Sequence, residues 1–146
     1  ALGLNSPNDI EDILPKLVSG DVLIENMIVG SITELLVGVT RDPAHGFVMT
    51  LAAGGTTTEL LGDSASLLLP AKRSNVIIAL NSLKMAPLLH GYRDKKKVDF
   101  NAILDSIDGI QAYVLANVDS LEEIEINPLI CTPKAAIAAD ALIRKS

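Results

Sequence analysis

Glu122-Glu123-Ile124-Glu125-Ile126-Asn127-Pro128-Leu129 is the stretch on which the reading of this chain turns. Side chains alternate faces along a strand, so Glu123, Glu125 and Asn127 share one face and Ile124 and Ile126 the other. One face is suited to packing, and the other carries acids and an amide. A turn sequence, Thr132-Pro133-Lys134-Ala135, follows, and residues 135–143 are again strand-like. With Pro133 and Lys134 as a two-residue loop, counting back along both strands puts Asn127 opposite Asp140. Opposed residues in an antiparallel pair have Cβ atoms roughly 4.5–5.5 Å apart. An amide oxygen and a carboxylate at that spacing, with Glu125 beside them, can hold one hard cation. A solvated acidic strand fits the same pattern. Mg²⁺ takes one or two protein oxygens when phosphate and water supply the rest, so two ligands suffice. The inference depends on register: Pro-Lys is not a favoured hairpin pair, and a one-residue slip would send Asp140 to the other face.

Working outward, residues 121–132 and 135–143 read as two strands closing the chain. Residues 99–118 read as a helix, because Ile103, Ile107, Ile110, Val114 and Val118 recur every three or four positions as one apolar stripe. Residues 75–83 read as a second helix, and 8–18 as a third that Pro15 interrupts. The apolar runs 22–28, 32–41, 47–53 and 66–70 read as strands. Asp42-Pro43-Ala44-His45-Gly46 is turn chemistry between two of them and predicts a hairpin. The charged Arg93-Asp94-Lys95-Lys96-Lys97 stretch reads as a solvated loop. The expected fold class is α+β, a mostly antiparallel sheet with flanking helices.

The composition sets the outer limits. The 146 residues fit one domain, 49% apolar and 21% charged, with aromatics at only 3% and no Trp. A core of this chain is therefore aliphatic. The net charge of −6 argues against a broad nucleic-acid or anionic-membrane surface. No apolar stretch reaches the roughly 18 residues of a membrane span. A single cysteine, Cys131, excludes an internal disulfide framework, fits a reducing, cytoplasmic setting and reads as a small buried hydrophobe.

A second candidate region is Ala53-Gly54-Gly55-Thr56-Thr57-Thr58-Glu59. Paired glycines let backbone N–H groups approach a phosphate, with threonine hydroxyls as further donors; a plain turn reads the same way. No Gly-Lys-Ser/Thr ending follows, so it is not a Walker A loop. Glu25 and Glu34 are acids in apolar runs. His45 and His90 stand beside no nucleophile and read as structural. Nothing resembles a Ser-His-Asp hydrolase or a Cys/His zinc site.

Taken in order, Glu34-Leu-Leu-Val-Gly-Val-Thr-Arg-Asp42-Pro43, Gly54-Gly55 with Glu59, Gly91-Tyr-Arg93, Glu125-Ile-Asn127-Pro-Leu129 and Asp140-Ala-Leu-Ile form a series. It resembles the carboxyl-terminal lobe of the ATP-grasp domain in NDP-forming acyl-CoA synthetases, similar to the nucleotide-binding subunit of succinyl-CoA synthetase. The resemblance covers about residue 22 to the end. It implies that Asn127 and Asp140, with Glu125, hold Mg²⁺ on the nucleotide phosphates. It implies that Glu25 and Met27, in Ile24-Glu25-Asn26-Met27, lie on the strand contacting adenine and ribose. Gly54, Gly55 and Glu59 match the loop at the phosphate end. Glu34 and Arg41 match positions without an assigned role. The chain departs from the family at His45-Gly46-Phe47 and at Arg93-Asp94.

The implied reaction joins a carboxylic acid to coenzyme A at the expense of ATP, giving ADP and phosphate, through an acyl phosphate and a phosphohistidine. The resemblance places the phosphate-binding lysine, the phosphorylated histidine and the coenzyme A site in a first lobe and further domains before residue 1. Those domains are the expected partners, and this lobe alone is expected to be inert. An apolar surface left where that lobe docks would favour homo-oligomers. The alternative is a non-catalytic interaction or regulatory module, as in relatives fused to an acetyltransferase.

Overall fold

A computed structural model describes residues 3–17, 20–54 and 62–146. Six strands form one sheet: β1 (Thr33–Asp42), β2 (Gly46–Ala53), β3 (Ser64–Leu68), β4 (Leu121–Cys131), β5 (Ala136–Ala138) and β6 (Ala141–Lys145). The order is β3-β2-β1-β4-β5, with β6 also on β4, and every pairing is antiparallel. Among the described residues the α-helices are α1 (Pro7–Ile13), α2 (Arg73–Ser82), α3 (Ala86–His90) and α4 (Phe100–Ala116). The α+β expectation holds.

The first hairpin forms where the turn chemistry predicts it. Asp42 pairs with Gly46, and the Asp42 carboxylate accepts from the Ala44 and His45 N–H groups at 2.9 and 2.8 Å. Gly46 takes φ of 81°, a conformation that glycine adopts without steric cost. The helices end where their chemistry stops them. Ser6 caps α1, its hydroxyl accepting from Asp9 N–H while the Asp9 carboxylate accepts from Ser6 N–H. Pro15 then confines the chain to a short 3₁₀ turn, Leu14–Lys16. Asp99 caps α4 through the Ala102 N–H.

The core lies between one sheet face and the helices. Leu35, Val37 and Val39 of β1 and Met49 and Leu51 of β2 are fully buried. Ile103, Ile107 and Val114 of α4 are equally buried, and Val76 and Leu80 of α2 complete the cluster. Each such aliphatic side chain contributes roughly 1.5–3 kcal/mol by leaving water. Val118, the last residue of the expected stripe, lies past the helix end and is exposed. Buried Gln111 accepts from Ala71 N–H at 2.8 Å. Arg73 ties α2 to α4 by pairing with Asp105 and Asp108.

Three expectations need correction. Residues 22–28 are not a strand: they run without turn or bend and pair with no other strand among the described residues. Their β propensity is real, but the ladder begins only at Ile32, whose N–H donates to the Cys131 carbonyl. Residues 135–143 form two strands rather than one, parted around Asp140. Residues 86–90, unassigned from the sequence, form α3. The charged side chain that supports it is Asp63, which is buried and accepts from Lys84 and Met85 N–H at 2.7 and 2.9 Å.

Gly54 is fixed by close approach. Its N–H donates to the Glu34 carbonyl at 2.8 Å, and a Cβ here would lie 2.8 Å from the Leu35 carbonyl carbon. Gly54→Ala should therefore cost about 1–3 kcal/mol, read as a lower denaturant midpoint at unchanged slope. A midpoint equal to the parent's would contradict this packing. Cys131 is fully buried, and burial, with the Glu34 charge adding to it, pushes its thiol up to about 12. At about pH 8 the native chain should resist alkylation that proceeds to completion in denaturant; modification of the folded chain would contradict the burial.

Candidate functional site

The helices cover one sheet face; the other carries the polar residues. From β1 it presents Glu34, Leu36, Gly38 and Thr40, since the alternate residues Leu35, Val37 and Val39 are buried. Gly38 pairs with Glu125, Glu125 with Leu142, and Glu123 with Arg144. Arg144 bridges Glu122 and Glu123 at 3.1 and 3.0 Å, which offsets one of the two acidic charges at that end of β4.

Asn127 and Pro128 interrupt the β1–β4 ladder. Leu35 pairs with Leu129 and Val37 with Ile126, so two β4 residues oppose Leu36 alone. This is a β-bulge, and Pro128, which has no N–H, suits a position where one ladder donor is missing. The bulge resets the alternation. Ile124 before it and Leu129 and Cys131 after it are all buried in the core.

Across β5 and β6 the register is the one the turn arithmetic predicts. Leu129 faces Ala138 and Ile126 faces Ala141. Between them Asn127 N–H donates to the Asp140 carbonyl at 3.3 Å, and Ala139 N–H to the Pro128 carbonyl at 3.0 Å. The tip is held by Thr132, whose hydroxyl accepts from Lys134 and Ala135 N–H. That hydroxyl supplies the turn-stabilising acceptor that the Pro-Lys pair itself lacks.

Glu125, Asn127, Asp140 and Leu142 line one shallow hollow of about 110 Å³. The Asn127 amide nitrogen points to Glu125 at 3.5 Å, which leaves the amide oxygen free. The Asp140 carboxylate is exposed and has no hydrogen-bond or ion-pair partner among the described residues. No group of three or more His, Cys, Asp and Glu side chains able to hold a metal occurs among those residues. The set is thus two carboxylates and one amide oxygen, hard donors with room for water, which suits Mg²⁺ completed by phosphate oxygens.

The other sequence candidates fall into three groups. Glu25 and Met27 are exposed and line a larger hollow, about 800 Å³, between residues 23–29 and the β4–β5 hairpin. Ile130, Ile137, Thr132, Lys134 and Ala139 form its hairpin wall, and Ala139 adjoins Asp140. Gly54 is beside Glu34, but its N–H is spent on the Glu34 carbonyl and offers no donor to a phosphate. Gly55 and Glu59 lie outside the described residues. Arg41 donates to the Val118 carbonyl and lies over the Phe47 ring, a structural tie away from the Asn127 hollow.

Both histidines have structural partners. His45 Nδ1 is 2.8 Å from Asp42, and that contact, with the Ala44 and His45 N–H groups, holds the Asp42 carboxyl below its usual range. His90 contacts Asn81 at 2.6 Å and stacks on Phe100. Sequence reasoning placed Lys134 in the turn but did not see that it, Ile130 and Ile137 line the larger hollow; alternation in residues 135–143 could have signalled Ile137 and Ala139 alone. No helix among the described residues is long and apolar enough to cross a membrane.

Comparison with known proteins bears on this geometry. A family model described as an ATP-grasp domain matches residues 8–144. The chain is 32% identical over 108 residues to the beta subunit of acetate–CoA ligase [ADP-forming] I of Pyrococcus furiosus, covering 74% of this chain and 46% of that subunit. It is 38% identical over 125 residues to a trans-feruloyl-CoA synthase of an unknown prokaryotic organism, covering 84% of this chain and 17% of that protein. It therefore spans less than half the length of these relatives. All of the chain superposes, with a TM-score of 0.83 and 22% identity, on 67% of a Candidatus Korarchaeum cryptofilum acetyl-coenzyme A synthetase chain. That structure holds coenzyme A and Mg-AMPPCP. By its sequence match, with a fold that agrees, the chain belongs to the ATP-grasp domain family and has relatives among the ADP-forming acetate–CoA ligases.

Proposed function

We propose that this chain is the nucleotide- and Mg²⁺-binding lobe of an NDP-forming acyl-CoA synthetase. The enzyme would convert acid, coenzyme A and ATP into acyl-CoA, ADP and phosphate. The observation that carries the reading is the pairing of Asn127 with Asp140 on the open sheet face, beside Glu125, in a chain of this family. Asn127 and Asp140 would hold the metal, with Glu125 orienting the Asn127 amide so that its oxygen faces the ion. Mg²⁺ bound there would neutralise charge on the transferred phosphoryl group.

Glu25 and Met27 would border the base and ribose in the larger hollow, whose volume suits a nucleotide. Its Ile130 and Ile137 wall offers an apolar surface to a base. Gly54 serves by position, anchoring the start of the segment that carries Gly55 and Glu59 to the β1 backbone. In this reading Gly55 and Glu59 contact the phosphate end. Coenzyme A and the phosphorylated histidine belong to other domains of the same enzyme, which also supply the opposite wall of the cleft. A cytoplasmic setting fits the lone buried thiol.

The test is calorimetric titration of Mg-ADP into the complete synthetase and its Asp140→Ala variant, with and without EDTA. Losing a charged ligand should weaken Mg-ADP binding roughly 10–100-fold, and EDTA should erase the difference. Equal affinity for both proteins would remove Asp140 from the metal. No nucleotide binding by the complete protein would leave a non-catalytic interaction module as the better account.

A further inference from the structure

Residues 91–97, between α3 and α4, carry Arg93, Lys95, Lys96 and Lys97, four of the twelve Lys and Arg side chains of a chain whose net charge is −6. All four are exposed, and so is Lys134 in the β4–β5 turn. None of the five is in an ion pair among the described residues. The loop is nevertheless held in one shape. Gly91 takes φ of 94°, and a Cβ there would lie 3.3 Å from the Lys95 carbonyl oxygen and 3.4 Å from the Lys97 nitrogen. Lys95 N–H donates to the Tyr92 carbonyl at 3.2 Å, and buried Val98 donates its N–H to the Leu89 carbonyl. Arg93 is the one non-glycine residue with positive φ among the described residues, at 55°, and its guanidinium lies over the Tyr92 ring. That conformation is costly for a residue with a side chain, so packing rather than local preference fixes it.

The loop ends beside the larger hollow. Asp99, two residues after Lys97, donates its N–H to the Thr132 carbonyl at 2.9 Å, and Thr132 and Lys134 line that hollow. Two residues span at most roughly 7 Å, so the Lys97 backbone lies within about 10 Å of Thr132, near one Debye length at physiological salt. The hollows themselves are lined by acids, Glu25 in one and Glu125 and Asp140 in the other. An anionic nucleotide nearing this face of an acidic chain is repelled unless cations stand close by.

We propose that Arg93, Lys95, Lys96, Lys97 and Lys134 form an electrostatic guide, which draws the phosphates of a nucleoside di- or triphosphate toward the cleft without holding them once bound. The inference rests on the nucleotide-binding reading above. The guide sets the rate of association, whereas Asn127, Asp140 and the larger hollow set the rate of release.

Stopped-flow binding of a fluorescent, non-hydrolysable ATP analogue with Mg²⁺ to the complete synthetase tests this. Lys96→Gln combined with Lys97→Gln takes two positive charges from the loop. Lys72→Glu changes the net charge equally, but at the start of α2, whose ten residues set it roughly 15 Å along the helix from the loops at the other end. At low ionic strength the loop variant should bind roughly two- to tenfold more slowly with dissociation unchanged, and the difference should fade in about 0.5 M salt. Lys96→Arg combined with Lys97→Arg keeps the charge and should keep the parent rate, as should Lys72→Glu. All the substituted side chains are exposed, and circular dichroism checks that the fold is kept. Equal association rates for parent and loop variant, an equal loss in Lys72→Glu, or a loss carried by faster dissociation would each overturn the guide while leaving the nucleotide reading intact. No nucleotide binding by the parent would overturn both.

Discussion

The register of β4 is the constraint on which the rest depends. β4 is held by β1 on one side and by β5 and β6 on the other, so it cannot slide without breaking both ladders. A one-residue slip would turn Ile124 and Leu129 out of the core and bury Glu125 without a partner. The same register decides which side chains meet on the open face. Core packing on one side of the sheet thereby sets the separation of Asn127 and Asp140 on the other. The Asn127–Pro128 bulge lets both requirements hold: it resets the alternation after Ile126, so that Leu129 and Cys131 still point inward.

Much of this was legible in the sequence, for identifiable reasons. The hairpin at Asp42–Gly46 followed from side-chain and glycine turn chemistry that acts within five residues. α4 followed from a periodic stripe long enough to outweigh its ends. The Asn127–Asp140 pairing followed from the turn position alone, because antiparallel register propagates from the loop. What failed depends on partners distant in sequence. Residues 22–28 have strand composition, yet a strand exists only where a neighbour offers a ladder, and none does among the described residues. α3 has five residues and no periodic signal; it is anchored by Asp63, more than twenty positions earlier. The glycine of Gly54 was visible, but its reason was not: the β1 backbone lies within van der Waals distance of where a side chain would begin.

The division of labour across the sheet connects fold to proposed function. Helices α2 and α4 seal one face with aliphatic side chains, which fixes the strands rigidly enough to position ligands. The opposite face keeps its acids, Asn127 and the two hollows open. A face of this kind offers half a cleft, with hard donors at Asn127 and Asp140 and an apolar wall at Ile130 and Ile137. The relatives are more than twice as long as the matched region, in keeping with a lobe that works against other domains.

The claim that Asn127 and Asp140 form one cation site is most directly tested by nuclear magnetic resonance with Mn²⁺ as a paramagnetic stand-in for Mg²⁺, added with ADP. The account predicts that amide signals of Glu125, Asn127, Asp140 and Leu142 broaden first and together, and recover on adding excess Mg²⁺. Broadening that begins instead at the exposed acids of α4, Asp105 and Asp108, with the β4–β6 signals unchanged, would contradict it.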